Sequence, residues 1–339
     1  MRFEGAHATG VAADAMRAGE DAQPRDGFSV VDRVITVYLA ILVGAALLGT
    51  GAQRRFCIVA TGSLLGLFVL TVSTVRRRGW RHPALAAVSY RCATLVAVIG
   101  SYLLLRPLLP TARIVAYDET LHRVDTMIFG VEPTLWLDRF VTPARTEWFA
   151  FFYLSYFLVL ATHILPVMFQ NRRDGLLSEL GVLLVILYCT GQLLYFVVPA
   201  FGPHRYEQFA HALPSGTFYD LVRQTVIAGG AQRDVFPSLH TAAPVALSIF
   251  AFRHREHVTG FRWTWPITMF VTGNIVLATM FLRWHYAIDV IAGFSLALIA
   301  SYFAPLVSAR ETERRRAQGL GPIWPVLRAR DELPGRPSH

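Results

Sequence analysis

The chain has 339 residues, of which 54% are hydrophobic and only 16% charged. Soluble domains carry roughly 25% charged residues, so this composition excludes an ordinary soluble fold and points to a bilayer. The formal charge is +9, and every basic residue is arginine. That charge concentrates in loops and tails, which suits membrane topology and anionic lipid better than nucleic acid; no nucleic-acid partner is expected.

Residues 1–30 are rich in Ala, Gly, Asp and Arg without an apolar period, and read as a mobile tail. Eight apolar runs follow, at 34–53, 56–75, 83–105, 148–169, 180–198, 237–252, 263–282 and 286–307. Each has about the length and composition of a spanning helix, and the first is too long for a signal-peptide core. The expected fold is therefore all-α, a polytopic membrane helix bundle of about eight transmembrane helices.

The domain plan that results has a tail at 1–30, N-terminal transmembrane helices at 31–110 and an outer interfacial segment at 111–146. A core of the remaining apolar runs at 147–307 and a C-terminal tail at 308–339 complete it. Arg91 falls inside the third run, near an arginine-rich end, and is expected to snorkel. Apolar residues at helical spacing (Trp136, Leu137, Phe140) predict short interfacial helices in the 106–147 connection. Arginines cluster in the loops at 76–81, 170–175 and 253–262 and in the C-terminal tail. The positive-inside rule then places both termini in the cytoplasm, and the opposite loops at the outer face of a plasma membrane.

Two outer-face stretches carry the chemistry: Arg233-Asp234-Val235-Phe236-Pro237-Ser238-Leu239-His240 and Arg283-Trp284-His285-Tyr286-Ala287-Ile288-Asp289. Pro237 suits the first position of a helix, which would leave the amides of Ser238, Leu239 and His240 free to bind phosphate. His285 and Asp289 are four apart, so on a helix the carboxylate can orient the imidazole and leave its other nitrogen nucleophilic. Asp289 lies in an apolar run, where ionisable residues are functional by default. A zinc site built from His240, His285 and Asp289 is the competing reading of the same donors. The three cysteines (Cys57, Cys92, Cys189) share no metal or disulfide spacing and read as core residues. His254 and His257 read as solvated loop residues.

Phe-Pro-Ser-Leu-His followed by His-Tyr-x-x-Asp resembles the second and third signature motifs of the type 2 phosphatidic acid phosphatase superfamily. The inositolphosphotransferase branch, which includes inositol phosphorylceramide synthases, is the nearest likeness. Tyr117-Asp118, Asp125, Phe129-Gly130, Pro133 and Tyr153-Leu154-Ser155-Tyr156 also resemble the segment ahead of the core in that branch. The resemblance implies that His285 attacks phosphorus, Asp289 orients it and His240 serves as acid and then base. Ser238 and neighbouring amides would hold the phosphoryl oxygens, with neither metal nor other cofactor. The substrate would be a lipid phosphate or phosphodiester, and the acceptor water or an alcohol such as a polyol. The family's lysine-containing first motif has no counterpart here. Arg205, in Phe201-Gly202-Pro203-His204-Arg205-Tyr206, is the candidate replacement. The family's arginine six residues before the second histidine is Thr279 here, which leaves Arg283 as the candidate phosphate ligand. Arg106-Pro107 reads as a span flank. A lipid-binding or lipid-transport protein without turnover is the alternative from another class.

Overall fold

The computed structural model describes residues 27–77, 82–112, 115–169, 174–230 and 232–327. The expectations for the tail at 1–26, for Arg78 and for Arg172-Arg173 lie outside these residues.

The regular secondary structure of the described residues is helical, apart from one isolated parallel bridge between Ala200 and Asp234. Helices α1 (Val30–Leu48), α2 (Arg54–Arg76) and α3 (Pro83–Ala112) come first. Two short helices, α4 (Asp118–Phe129) and α5 (Pro133–Leu137), follow in the segment read as interfacial. Then come α6 (Pro143–Phe169), α7 (Asp174–Val197), the one-turn α8 (Pro203–Tyr206) and α9 (Thr217–Gly229). The last three are α10 (Leu239–Arg253), α11 (Thr259–Phe281) and α12 (Ala287–Ala317).

Seven of these helices are long and apolar enough to cross a membrane: α1, α2, α3, α6, α7, α11 and α12. The eighth apolar run forms α10, only 15 residues long. That is about 22 Å of helix, short of the ~30 Å hydrocarbon core. It packs against α6, α7, α11 and α12, and most of its side chains are buried. A helix apolar on every face belongs in the middle of a bundle.

Small residues let this centre close up, because helices in lipid associate by packing more than by expelling water. Ala242, Ala243, Ala246 and Ala251 of α10 are fully buried, as are Ala297, Ala300 and Ala304 of α12. Gly293 of α12 is the tightest point: a Cβ there would lie 2.3 Å from the carbonyl oxygen of Ser238. Gly191 of α7 plays the same part for Leu239, whose Cδ2 would lie 2.6 Å from an added Cβ.

Three arginine and histidine expectations are corrected. Arg91 does not snorkel; it is 5% exposed and faces the interior. Arg76 is 2% exposed and pairs with Asp32 at 2.9 Å. A buried guanidinium is tolerated there because the Tyr90 ring, Asp32 and backbone carbonyls surround it. His254 is not a solvated loop residue: its Nε2 lies 3.1 Å from Glu179 Oε2, beside the Arg253–Glu179 pair.

Candidate active site

The two motif stretches meet at one end of the bundle. The Ser238 amide donates to the Asp289 carbonyl at 3.0 Å, and Gly293 admits the Ser238 carbonyl one turn further on. α10 therefore begins against the first turns of α12, and His240 comes to face His285. Their ring centroids are 6.4 Å apart.

The local start of α10 differs from the sequence expectation. Pro237 is not the first helical residue. Ser238 is the N-cap, and its hydroxyl oxygen accepts from the Thr241 amide at 3.2 Å. A serine preceding a helix satisfies an orphan amide this way more effectively than proline at N1 does. The Ser238 amide is thus engaged within the protein, its hydroxyl oxygen accepts there, and Ser238 is fully buried. Of the three amides expected to be free, the Ser238 amide is not.

His240 lies between two aromatic rings. It stacks on Tyr153 with centroids 4.5 Å apart and planes 14° from parallel, and Tyr156 stands 4.2 Å away on a tilt. Both tyrosines come from α6 and are buried. The two rings fix its plane, while burial and the neighbouring His285 push its imidazole down to about 3, so the ring is neutral near pH 7 before an anion binds. His240 Nε2 is buried without a hydrogen-bond partner among the described residues.

His285 does not sit on a helix with Asp289, because α12 starts two residues later, at Ala287. It lies in the short approach loop, where its own amide and that of Trp284 donate to the Thr279 carbonyl. The imidazole still reaches the carboxylate: Nδ1 is 3.6 Å from Asp289 Oδ2. That is wide of a hydrogen bond, and Oδ2 is held by the Tyr286 amide at 2.8 Å. Asp289 Oδ1 and His285 Nδ1 are both buried and without a partner among the described residues. A small rotation of the ring would join them. Burial pushes the His285 imidazole down to about 4, against the pull of Asp234 and the Val235 carbonyl, so the ring is neutral near pH 7.

Two carboxylates of α4 hold the site together. Asp125 accepts from the amides of Ala287 and Ile288 at 2.6 and 2.8 Å, which caps α12 beside the histidine. Asp118 accepts from the amides of Phe201 and Gly202 and from the Tyr286 hydroxyl. From α3, the Tyr102 hydroxyl donates to Asp234 at 2.8 Å. Asp118 and Asp125 are visible in the sequence, but nothing local to them says what they bind.

The two candidate arginines separate. Arg205, on α8, is exposed and donates to Gln232 at 3.0 Å. It lines the same cavity as His204, His240 and His285. The Arg283 guanidinium instead pairs with Asp138 at 2.7 Å, donates to the His211 carbonyl and lies 3.9 Å over the Phe209 ring. Arg223 of α9 also lines the cavity and was not singled out in the sequence.

The histidines stand at the head of an apolar cavity of about 670 Å³. It runs between α3, α6 and α7, from Tyr195 and His240 at the site to Leu177 and Trp324 at the far end. Leu95, Ile99 and Phe157 line it and are themselves exposed on the bundle surface. No cluster of three metal-ligating side chains occurs among the described residues, and the donors of this site face one another as a pair of rings with a carboxylate behind one of them.

The described residues thus form a membrane helix bundle with a histidine pair at one end and a carboxylate behind one of the rings. The PAP2 superfamily model matches residues 119–303, more than half of the chain, and the chain belongs to that superfamily. No curated protein and no solved structure matches it. Membership supports a phosphatase-type phosphoryl-transfer function. The match begins within α4, one residue after Asp118, and ends within α12.

Proposed function

We propose that the protein transfers the phosphoryl group of a membrane lipid phosphate or phosphodiester through a phosphohistidine on His285. The observation that carries this reading is the pair of rings, 6.4 Å apart at the head of an apolar cavity. The gap suits one phosphoryl group between nucleophile and acid, and the cavity suits the attached hydrocarbon.

His285 Nε2 attacks phosphorus while Asp289 steadies the ring through Nδ1. The negative charge of the bound phosphate draws a solvent proton onto His240, and the P–O bond to the lipid breaks as His240 gives that proton to the leaving oxygen. Water, or an alcohol in its place, then attacks phosphorus. The P–N bond breaks, and the acceptor's proton passes to His240. Arg205 and the amides of Leu239 and His240 stabilise the equatorial oxygens, as phosphoryl transfer requires positioning and donors above all. Ser238 contributes by fixing the start of α10. Arg283 contributes by fixing the loop around His211.

The end opposite the histidines is rich in arginine. Arg76 there donates to the Ile323 carbonyl, Arg253 bonds Glu179 and the Ser301 carbonyl, and Arg314 and Arg315 pair with Glu311. That supports a cytoplasmic position for that end and an outer-leaflet position for the site. The test is incubation of the purified protein with a panel of lipid phosphates, with and without inositol or other polyols. Free phosphate supports hydrolysis, new phosphodiester supports transfer to the polyol, and neither product from any lipid would leave the non-catalytic reading standing.

A further inference from the structure

We propose that the C-terminal segment Gly321–Trp324 is the floor of the cavity, and that the Trp324 indole sets the length of hydrocarbon tail the enzyme accepts. The proposal rests on the reading that a lipid phosphate occupies this cavity. Trp324 lies beyond the region matched by the superfamily model.

After α12 the chain turns back at Gly319, whose φ of +64° is the left-handed conformation glycine permits. Arg315 Nε donates to the Gly321 carbonyl at 2.6 Å. Arg76 donates to the carbonyls of Pro322 and Ile323 at 3.0 and 2.7 Å. Arg76 is itself anchored by Asp32, so two buried guanidinium groups clamp the returning strand to α1, α2 and α12. Ile323 is 1% and Trp324 6% exposed.

The indole enters the bundle between α3 and α7. It meets the Tyr90 ring edge-on at 5.1 Å. On the other side it lies so close to Gly181 that a Cβ there would be 2.5 Å from Cζ2. Its N–H has no hydrogen-bond partner among the described residues, so shape alone places it. Gly181 and Trp324 both line the cavity, as does Leu184, about one helical turn nearer the histidines. Along α7, the 14 residues from Tyr195 to Gly181 span about 21 Å. That is deeper than the ~15 Å of one leaflet's hydrocarbon, so the floor meets only the far end of a long tail.

The experiment uses the full chain in detergent or nanodiscs. Phosphate release is measured from saturated lipid phosphates of increasing chain length. Each rate is divided by that for a short, water-soluble phosphate ester in the same variant. Wild type is expected to gain about fourfold in kcat/KM per added methylene up to a limiting length and nothing beyond it. Trp324→Ala is expected to move that limit to longer chains. Leu184→Trp, which raises a new floor about one helical turn higher, is expected to move it shorter by roughly 5 Å of tail. A limit that stays put in Leu184→Trp, or in a folded Trp324→Ala, would overturn the proposal. So would a wild type that turns over lipid phosphates with no limit at all. Turnover of the soluble ester alone, with no lipid accepted, would instead sink the lipid reading itself.

Discussion

Asp125 accepts the amides of Ala287 and Ile288 at 2.6 and 2.8 Å, from a helix 162 residues earlier in the chain. The carboxylate does for α12 what an N-cap side chain does for an ordinary helix, but from across the fold. Burial raises the Asp125 carboxyl to about 6, although both amides pull the other way. Replacing Asp125 by Ala removes two acceptors from buried donors at the turn that carries His285. Thermal unfolding in detergent should show a loss of about 2 kcal/mol, and kcat should fall at least tenfold. Unchanged kcat in a folded variant would show that this cap does not position the histidine.

Gly293→Ala tests the contact that sets the two histidines against each other. The added methyl meets a backbone carbonyl at 2.3 Å, so α10 must move away from α12. A displacement of about 1 Å at His240 should cost on the order of 100-fold in turnover. The variant's activity should fall much further than that of Gly273→Ala, where an added Cβ meets nothing within 4 Å.

His240 and His285 should separate by leaving group. His285→Ala removes the nucleophile, and its loss should be at least ~10³-fold with every substrate. His240→Ala should cost about 10²- to 10⁴-fold with an alkoxide leaving group. It should recover most of the first step with a leaving group acidic enough to depart unprotonated. Equal losses with both kinds of ester would remove His240 from the acid role.

The pH dependence follows from the His285 shift. Its ring is held down to about 4 in the folded protein, below the ordinary 6.5, because burial disfavours the cation. Between pH 6.5 and 4 the unfolded chain therefore binds a proton that the folded chain does not. This group's contribution to stability is complete above 6.5 and is lost as the pH falls toward 4. For catalysis, the nucleophile stays neutral down to about pH 4. The acid limb of kcat/KM assigned to His285, corrected for substrate ionisation, should fall near 4, and a limb at 6.5 would contradict a buried nucleophile.

Arg205 and Arg283 should give different kinds of defect. Arg205 is exposed at the cavity, so Arg205→Ala should raise KM by roughly 10- to 100-fold, the worth of a charge-assisted contact, with little change in unfolding temperature. Arg283→Ala breaks the pair with Asp138 and leaves a nearly buried carboxylate, at 7% side-chain exposure, without its cation. It should lower the unfolding temperature as well as kcat. Lysine should not rescue Arg283, because one ammonium cannot meet Asp138, the His211 carbonyl and the Phe209 ring together.

The bundle and the histidines were legible because their signals are local. Apolar run length marks the long helices, and Phe-Pro-Ser-Leu-His and His-Tyr-x-x-Asp mark the site. What escaped depends on partners distant in sequence. Nothing around Arg283 names Asp138, and nothing around Asp125 names Ala287. Pro237 read as the start of α10 because proline suits N1, but Ser238, one residue on, is the better cap. Arg91 read as a snorkelling residue because run length gives depth in the membrane without saying which helix face turns inward.

The most direct test is rapid quenching of the enzyme during turnover, under alkaline conditions that preserve a P–N bond, followed by mass mapping of the phosphorylated peptide. A phosphoryl group on His285, formed and lost at rates matching turnover and absent in His285→Ala, is the expected result. Full turnover with His285 never phosphorylated would contradict the double-displacement mechanism.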